Sequence, residues 1–276
     1  MAGMIGPDDL PPVRVAEGSG PVILSFPHVG TRLPGAVAAR LNPEGLILRD
    51  TDWHLEQLYD GLLPGVTTVT ATWSRYAIDL NRDPSGQSLY PGQTTTGLIP
   101  LTTFDNVPIW QTGCEPGPAE IATALEQIHR PYHAALAAEI ARVRAVHGVA
   151  ILYDCHSIRS EIPWLFDGVL PDFNIGTNGG ESCAPGIEAD IARICAAAPG
   201  YRSVVNGRFR GGWTTRHYGR PEQGIHAVQM ELAQASHLQA ETPPFALCPE
   251  KAARLRETLG GILTMLAALA PRLARS

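Results

Sequence analysis

The sequence of 276 residues predicts an α/β fold, in which helices sandwich a β-sheet within a single domain. Short apolar runs typical of strands alternate with stretches whose apolar residues recur every three or four positions, as they do on helix faces. The chain has no internal repeat, and 44% of its residues are hydrophobic, which provides a sizeable core. In such sheets, polar residues at strand ends gather at one edge, where ligands bind.

The first part of the chain is predicted to form a terminal arm, three strands and one helix. Residues 1–20 are rich in Pro and Gly and are expected to be a loosely ordered arm. An apolar run over 21–26 brings His28 to the end of a buried strand. Asp50-Thr51-Asp52 precedes a helical pattern and is typical of the acidic start of a helix. Further strands are predicted over 66–73 and 74–80.

The second part begins with a long irregular segment. Residues 83–118 show neither a helical nor a strand period, which favours a loop that covers an active site. From 118 to 147 apolar residues recur at helical spacing, and Pro131 should kink this helix or divide it in two. The remaining predictions are strands over 149–153, 203–205 and 226–232, helices over 185–198 and 249–269, and a turn-rich segment over 206–219.

Charge and cysteine content restrict the partners and the compartment. The 21 basic and 27 acidic residues give a net charge of −6, and no basic run is present. Nucleic acids and anionic membranes need a positive patch, so a small-molecule substrate is favoured over both. The five cysteines are an odd number without framework spacing, and the first residues lack a signal-peptide pattern. A cytoplasmic location is therefore expected.

Three positions far apart in the chain carry side chains that bind metals. His28 and His156 follow predicted strands, and Asp50 or Asp52 lies at a predicted helix start. Two imidazoles and one carboxylate, with a fourth position open, are a ligand set of catalytic zinc. Each residue alone is more typical of a hydrogen-bonded turn or a helix cap. Only their combination favours a metal site.

Other polar residues suggest chemistry beside such a site. Glu231 points away from the apolar face of its predicted strand, so it is either a general base next to a metal or a solvent-exposed residue on an edge strand. Arg75, Asn81 and Arg82 cluster around a strand end, and Arg216 lies in a Gly-rich segment. Guanidinium groups at a pocket rim bind carboxylates and stabilise oxyanions, although pairing with nearby carboxylates on the surface is the alternative.

His129 and His133 are interpreted differently. They have i, i+4 spacing, but Pro131 lies between them, and a solvated helix face is the expectation for this pair.

Seven segments between Val22 and Leu238 carry a family resemblance. They are SFPHVGTRLP, DTDWHLEQLYD, SRYAIDLNRDP, LYPGQTTTGLIP, DCHSIRSEIPWLFDG, LPDFNIGTNGGESC and GRFRGGWTTRHYGRPEQGIHAVQMEL. Through them the sequence resembles the N-formylglutamate amidohydrolase (deformylase) family of histidine degradation. That family is distantly similar to zinc carboxypeptidases and aspartoacylases, with their phosphorylase/hydrolase-like fold. The resemblance therefore implies a central mixed β-sheet flanked by helices.

The resemblance also implies a role for each candidate residue. His28 and His156 match the two histidines that hold one divalent ion, Zn²⁺. The distant relatives place a Glu three residues after the first histidine, where this chain has Thr31, so Asp52 is preferred to Asp50 as the acidic ligand. The implied roles of the other residues are oxyanion stabilisation for Arg75, substrate-carboxylate binding for Asn81 and Arg82, and general base catalysis for Glu231.

The activity implied is metal-dependent hydrolysis of the formamide bond of N-formyl-L-glutamate to formate and L-glutamate. Because that substrate has two carboxylates, two cationic clamps are expected, with Asn81 and Arg82 holding one and Arg216 the other. The alternatives are a zinc amidase or deacylase for a different N-acyl amino acid, and a carboxylate-binding protein without catalysis. A binding protein has no need for a base beside a metal, so Glu231 favours an enzyme.

Overall fold

The computed structural model describes residues 11–87 and 96–274, and within those ranges it has seven strands and eight α-helices. The strands are β1 (Val13–Ala16), β2 (Val22–Phe26), β3 (Thr67–Ala71), β4 (Ala150–Ile158), β5 (Phe173–Gly176), β6 (Ser203–Val205) and β7 (Ile225–Ala233). The helices are α1 (Gly35–Ala38), α2 (Pro43–Leu46), α3 (Leu55–Tyr59), α4 (Pro118–Ala124), α5 (Arg130–His147), α6 (Pro185–Ala197), α7 (Trp213–Tyr218) and α8 (Pro249–Leu273). No helix in the described ranges is long and apolar enough to cross a bilayer.

The described strands form one mixed sheet in the order β1-β3-β2-β4-β7-β5-β6. The central strands β3, β2, β4 and β7 run parallel to one another. At the two sides, β1 pairs antiparallel with β3, and β5 pairs antiparallel with β7. The prediction of an α/β fold with a mixed sheet flanked by helices is confirmed.

Each face of the sheet packs against its own helices. Alternate side chains of β4, such as Tyr153 and Cys155, join an apolar core with α3, α6 and α8. Ala150 and Leu152 point the other way and join a second core with α5. Towards the C-terminal ends of β4 and β7, this second face becomes polar, although its side chains stay buried. The fold therefore places buried polar groups at the sheet edge where ligands are expected.

Two segments near the N-terminus differ from the sequence predictions. Val13–Ala16, within the predicted loose arm, forms strand β1, because its backbone pairs with the open edge of β3; residues 1–10 of the arm lie outside the described residues. The predicted strand over 74–80 is wrong, since these residues form turns in which Ala77 N donates to Ser74 O at 2.9 Å. The apolar side chains of residues 74–80 are nevertheless buried. An apolar run alone does not distinguish a strand from a buried turn.

Two other elements depart from their predicted form. Strand β4 continues to Ile158, so His156 lies within the strand instead of after it. The turn-rich segment 206–219 contains helix α7, whose short length hides its period among glycines. In the predicted loop over 83–118, the described residues before Pro118 belong to no named helix or strand, and residues 88–95 lie outside the described part of the chain.

The predicted long helix is divided close to Pro131. A π-helical turn, Leu125–His129, separates α4 from α5, and Pro131 lies in the first turn of α5. Proline has no N–H to donate to the carbonyl four residues earlier, and the wider turn before it accommodates that missing bond. Gly148 ends α5 in the left-handed conformation with φ 72°, as is common at helix C-termini.

Candidate metal and active site

The polar face of the central strands brings three predicted ligands together. His28 follows β2, His156 lies on β4, and Asp52 precedes α3. One ligand atom from each lies within 4.8 Å of the others, and all three residues are buried. Asp52 Oδ2 is 3.8 Å from His28 Nδ1 and 3.3 Å from His156 Nδ1. This group can hold a metal ion.

The facing atoms of this group lack ordinary partners. Among the residues that the structure describes, His28 Nδ1 and both carboxylate oxygens of Asp52 are buried without a hydrogen bond. Buried polar atoms are nearly always paired, because desolvating them without compensation is costly. A shared cation would satisfy these atoms at once, so the donor set fits a metal such as zinc.

A second carboxylate holds the far side of each imidazole. His28 Nε2 lies 2.7 Å from Asp79 Oδ1, and His156 Nε2 lies 2.9 Å from Asp154 Oδ2. An ionised carboxylate can only accept, so each Nε2 carries the hydrogen and donates it, which leaves Nδ1 of a neutral ring to face the ligand group. Carboxylates in this position orient metal-binding histidines and raise their basicity.

The two histidines have different electrostatic surroundings. Burial, together with the Arg75 cation, lowers the pKa of His28. Burial opposes the charged form of His156 as well, but the Asp154 and Asp52 carboxylates outweigh it and raise the pKa of His156 well above its usual value. His28 is therefore the more easily maintained as a neutral ligand in the folded protein.

The loop that carries Asp52 is fixed on both sides. Leu48 and His54 flank it with φ values of 54° and 61°, which are costly for residues other than glycine. Asp52 N donates to His28 O at 3.0 Å, and Gln234 Nε2 donates to the neighbouring Thr51 O at 2.9 Å. The surrounding structure thus holds the Asp52 loop in a strained conformation.

Asp50 does not belong to the ligand group and accepts hydrogen bonds from other residues. Its Oδ2 accepts hydrogen bonds from Tyr76 OH at 2.8 Å and from Phe104 N at 3.0 Å. Burial raises the pKa of the Asp50 carboxyl to about 6. Of the two aspartates that the sequence left open, the structure places Asp52 beside the histidines.

Glu231 faces the same group from β7. It is the register partner of His156 on the adjacent parallel strand, so both side chains project from the same face. Gln229, two residues earlier, donates from Nε2 to Glu231 Oε2 at 3.0 Å and accepts from Gly212 N at 2.7 Å. Burial raises the pKa of Glu231. Of the two alternatives for Glu231, the solvent-exposed residue on an edge strand is wrong, since Glu231 is only 7% exposed.

Arg75 lies beside the ligand group and is held there by two hydrogen bonds. Its Nη2 donates to Asp79 Oδ2 at 2.6 Å and its Nη1 to Asp50 O at 3.3 Å. Its guanidinium carbon is 4.7 Å from the centroid of the Phe104 ring. Within the described residues, Nε is buried without a hydrogen-bond partner. Arg75 therefore contributes a fixed positive charge to the cavity wall.

Asn81 and Arg82 occupy another wall of the cavity. Asn81 Nδ2 is 3.1 Å from His156 Nε2, and Asn81 Oδ1 accepts from Thr214 N at 2.9 Å. Position 212 must be glycine, because any side chain there would overlap the Asn81 amide. Arg82 donates through Nε and Nη2 to the carbonyl and hydroxyl oxygens of Thr96, both at 3.0 Å.

Two histidines behind this wall hold its backbone. His133 Nε2 lies 2.8 Å from Leu80 O, and His129 Nε2 lies 3.2 Å from Arg82 O. These carbonyls flank Asn81 in the chain. The expectation of a solvated helix face for the two histidines is wrong, because both are buried under the turn that carries Asn81.

A cavity joins these walls. Its lining includes His28, Arg75, Asn81, Arg82, His156 and Glu231, together with residues of the predicted loop such as Gln87, Thr96 and Phe104. Arg216 is not among the described residues that line it; this side chain lies on α7 and donates from Nε to Gly211 O at 2.9 Å. Arg208, from the same Gly-rich segment, lines the cavity instead. The structure therefore does not bring Arg216 to the predicted substrate position.

Sequence reasoning missed several residues that support the site. Asp154 and Gln229 each lie two positions before a predicted functional residue on a strand, and a period of two puts such pairs on one face. That spacing was the signal available for both. Asp79 and Arg208 carry no comparable signal, since neither lies in a regular element.

Comparisons with known proteins identify the family. The family model for N-formylglutamate amidohydrolase matches residues 20–238. The chain is 48% identical over 253 residues to a Pseudomonas aeruginosa protein named N-formylglutamate deformylase, covering 91% of this chain and 94% of that one. A Pseudomonas putida protein of the same name is 47% identical with the same coverage.

Solved structures share the fold. The N-formylglutamate amidohydrolase from Ralstonia eutropha JMP134 superposes with a TM-score of 0.79 at 24% identity, covering 95% of this chain and 99% of that chain. A gene product from Agrobacterium tumefaciens has a TM-score of 0.68 at 18% identity, with 95% and 98% coverage. Given the family match over most of its length and two curated relatives near half identity, the chain belongs to the N-formylglutamate amidohydrolase family.

Proposed function

We propose that the protein hydrolyses the formamide bond of N-formyl-L-glutamate, giving formate and L-glutamate, with the help of one divalent metal ion. The observation that carries the proposal is the buried His28–Asp52–His156 group with its unpartnered atoms, whose two histidines line the same cavity as Glu231. Relatives near half identity that are named N-formylglutamate deformylase support the choice of substrate.

His28 and His156, through Nδ1, and Asp52, through its carboxylate, would hold the ion, and zinc is the metal that this set of two imidazoles and one carboxylate favours. When bound, zinc polarises a carbonyl as a Lewis acid and lowers the pKa of a water molecule towards about 7. Asp79 and Asp154 keep the two rings in the orientation that this requires.

Glu231 acts as the general base and then as the general acid. Its carboxylate takes a proton from the attacking water while the water oxygen bonds to the formyl carbon. The same carboxyl then gives the proton to the amine nitrogen as the C–N bond breaks, so water is consumed and formate and amine are released. A raised pKa of a buried glutamate suits both steps, because each proton transfer occurs near neutral pH.

Positive charge in the cavity serves the substrate and the transition state. Arg75 stabilises the oxyanion that develops on the formyl oxygen, since its cation is fixed by Asp79 before the reaction starts. Asn81 and Arg82 hold a substrate carboxylate, because both line the cavity and their backbone is anchored by the two histidines behind it. A role in histidine degradation and a cytoplasmic location follow from this activity as further predictions.

The alternatives are a zinc amidase for another N-acyl amino acid and a carboxylate-binding protein without catalysis. Formate release from N-formyl-L-glutamate should be assayed beside N-formyl-L-aspartate, N-acetyl-L-glutamate and N-formimidoyl-L-glutamate, with metal analysis before and after chelation. We expect N-formyl-L-glutamate to have the highest kcat/KM and activity to follow metal content. Higher kcat/KM for an analogue would favour the first alternative, and binding without turnover of any substrate would favour the second.

A further inference from the structure

One wall of the cavity is apolar, whereas the wall of Asn81 and Arg82 is polar. Phe104, Ile158, Leu165 and Phe209 line the cavity and belong to an apolar cluster that is separate from the two main cores. An apolar surface in a site for a charged substrate indicates where the hydrocarbon part of that substrate lies, because apolar side chains pack favourably against hydrocarbon and not against charged groups. In N-formylglutamate the hydrocarbon is the pair of methylenes that separates the side-chain carboxylate from the α-carbon.

Arg208 lies at the edge of this apolar wall. Its Nε donates to Leu165 O at 3.0 Å, and its guanidinium carbon is 5.5 Å from the centroid of the Phe209 ring. The side chain is half-buried and lines the cavity. A guanidinium beside apolar surface is more weakly screened than one in open water, and its planar fork matches a carboxylate.

The wall of Asn81 and Arg82 lies beside the proposed metal ligands. Asn81 Nδ2 is 3.1 Å from His156 Nε2, and Arg82 Nη2 is 3.8 Å from Asp79 Oδ2, which is part of the carboxylate that orients His28. In the substrate, the α-carboxylate is attached to the carbon that bears the scissile nitrogen. The side-chain carboxylate is two methylenes further away. The two carboxylates therefore suit two different walls.

We infer that Arg208 binds the side-chain carboxylate of an N-formyl dicarboxylic amino acid, with the methylenes lying against the apolar wall and the α-carboxylate bound by Asn81 and Arg82. This inference rests on the proposed function and names a specificity residue for it. For this role it assigns Arg208, which lines the cavity, in place of Arg216, which the sequence predicted.

The test compares two substrates that differ only at the proposed contact. N-formyl-L-norvaline keeps the formamide and the α-carboxylate of N-formyl-L-glutamate, but a methyl group replaces the side-chain carboxylate. We expect Arg208→Gln to lower kcat/KM for N-formyl-L-glutamate by about 10- to 100-fold, the range for losing hydrogen bonds to a charged group, while kcat/KM for N-formyl-L-norvaline stays within about twofold. Arg208→Lys keeps the charge without the planar fork and should give a smaller loss.

Arg210→Gln is the matched control. Arg210 is exposed, lies two positions further along the same segment and does not line the cavity in the described part of the chain. This variant should resemble the unmodified protein on both substrates.

Four results would overturn the inference. In the first, Arg208→Gln and Arg208→Lys each lose as much kcat/KM for N-formyl-L-norvaline as for N-formyl-L-glutamate; in the second, Arg208→Gln loses no kcat/KM at all. In the third, Arg216→Gln is the variant that loses kcat/KM for N-formyl-L-glutamate alone. In the fourth, the unmodified protein has the same kcat/KM for the two substrates. Failure of the proposed function has a separate signature, because the unmodified protein would then release formate from neither substrate.

Discussion

His156 and Glu231 are register partners on the neighbouring parallel strands β4 and β7. Neighbouring strands lie about 4.8 Å apart, and partners in register project from the same face. The sheet itself therefore sets the spacing between a proposed metal ligand and the proposed base. Side chains on flexible loops would hold that spacing less precisely.

Replacing Glu231 by Gln should remove the base while preserving the shape of the site. We expect kcat to fall by about 10³-fold, the usual scale for a general acid–base group, with little change in substrate affinity. Steady-state kinetics and calorimetric binding of N-formyl-L-glutamate measure the two effects. Near-normal kcat in this variant would show that another group takes the proton.

The two neighbouring aspartates should respond differently to the same substitution. Asp52→Asn removes the negative charge from the ligand group, so the purified variant should carry much less metal and lose activity in proportion. Asp50→Asn should keep its metal, because the Asp50 carboxylate accepts from Tyr76 and Phe104 instead. Metal analysis of the two variants decides the matter, and the opposite pattern would assign the ligand role to Asp50.

Asp154→Asn should weaken metal binding without removing a ligand. The Asp154 carboxylate holds His156 through Nε2 and is itself held by Ser25 Oγ at 2.7 Å. Loss of such a support typically costs 10- to 100-fold in metal affinity, and we expect a loss on the order of that range here. Competition with a chelator of known affinity measures it. Unchanged affinity would contradict the orienting role.

His133 should make the fold sensitive to acid. Burial, reinforced by the nearby His129, lowers the pKa of His133 to about 3 from 6.5. Between those two values the unfolded chain binds a proton that the folded protein does not, so the free energy of unfolding falls as the pH is lowered from 6.5. The slope contributed by this residue is at most about 1.4 kcal/mol per pH unit.

His133→Gln should reduce that slope and can be compared with the unmodified protein by urea unfolding at pH 7.5 and pH 5. Because the titrating groups of the metal site are common to both proteins, they cancel in the comparison. Identical losses of stability on acidification would show that His133 does not contribute.

Much of the site was predictable because the fold class determines where its parts meet. His28 and His156 were placed at or near the ends of apolar runs, and adjacent parallel strands bring such ends to one edge. The alternation in the predicted strand put Glu231 on the side away from the apolar face, and in β7 the apolar face of Val228, Met230 and Leu232 does lie in the core. Residues on regular elements thus reveal their direction through periodicity.

The parts that escaped prediction lie where periodicity fails. Arg208, Arg210 and Arg216 belong to one irregular segment, and no pattern in it indicates which guanidinium reaches the cavity. Asp79 lies in turns that resemble a strand in sequence. For His129 and His133 the sequence indicates a solvated helix face, because Pro131 lies between them, whereas in the structure both are buried.

The π-helical turn Leu125–His129 accommodates one residue more than an α-helical turn does, so it determines which sides of the two flanking helices face the protein. If Leu125–His129 wound as a regular α-helix with the same number of residues, everything before it would be turned by about 100° around the axis. Pro118–Ala124 would then present a different side to the protein. Loop grafts or deletions in this region should therefore keep the wide turn, or remove one residue together with it.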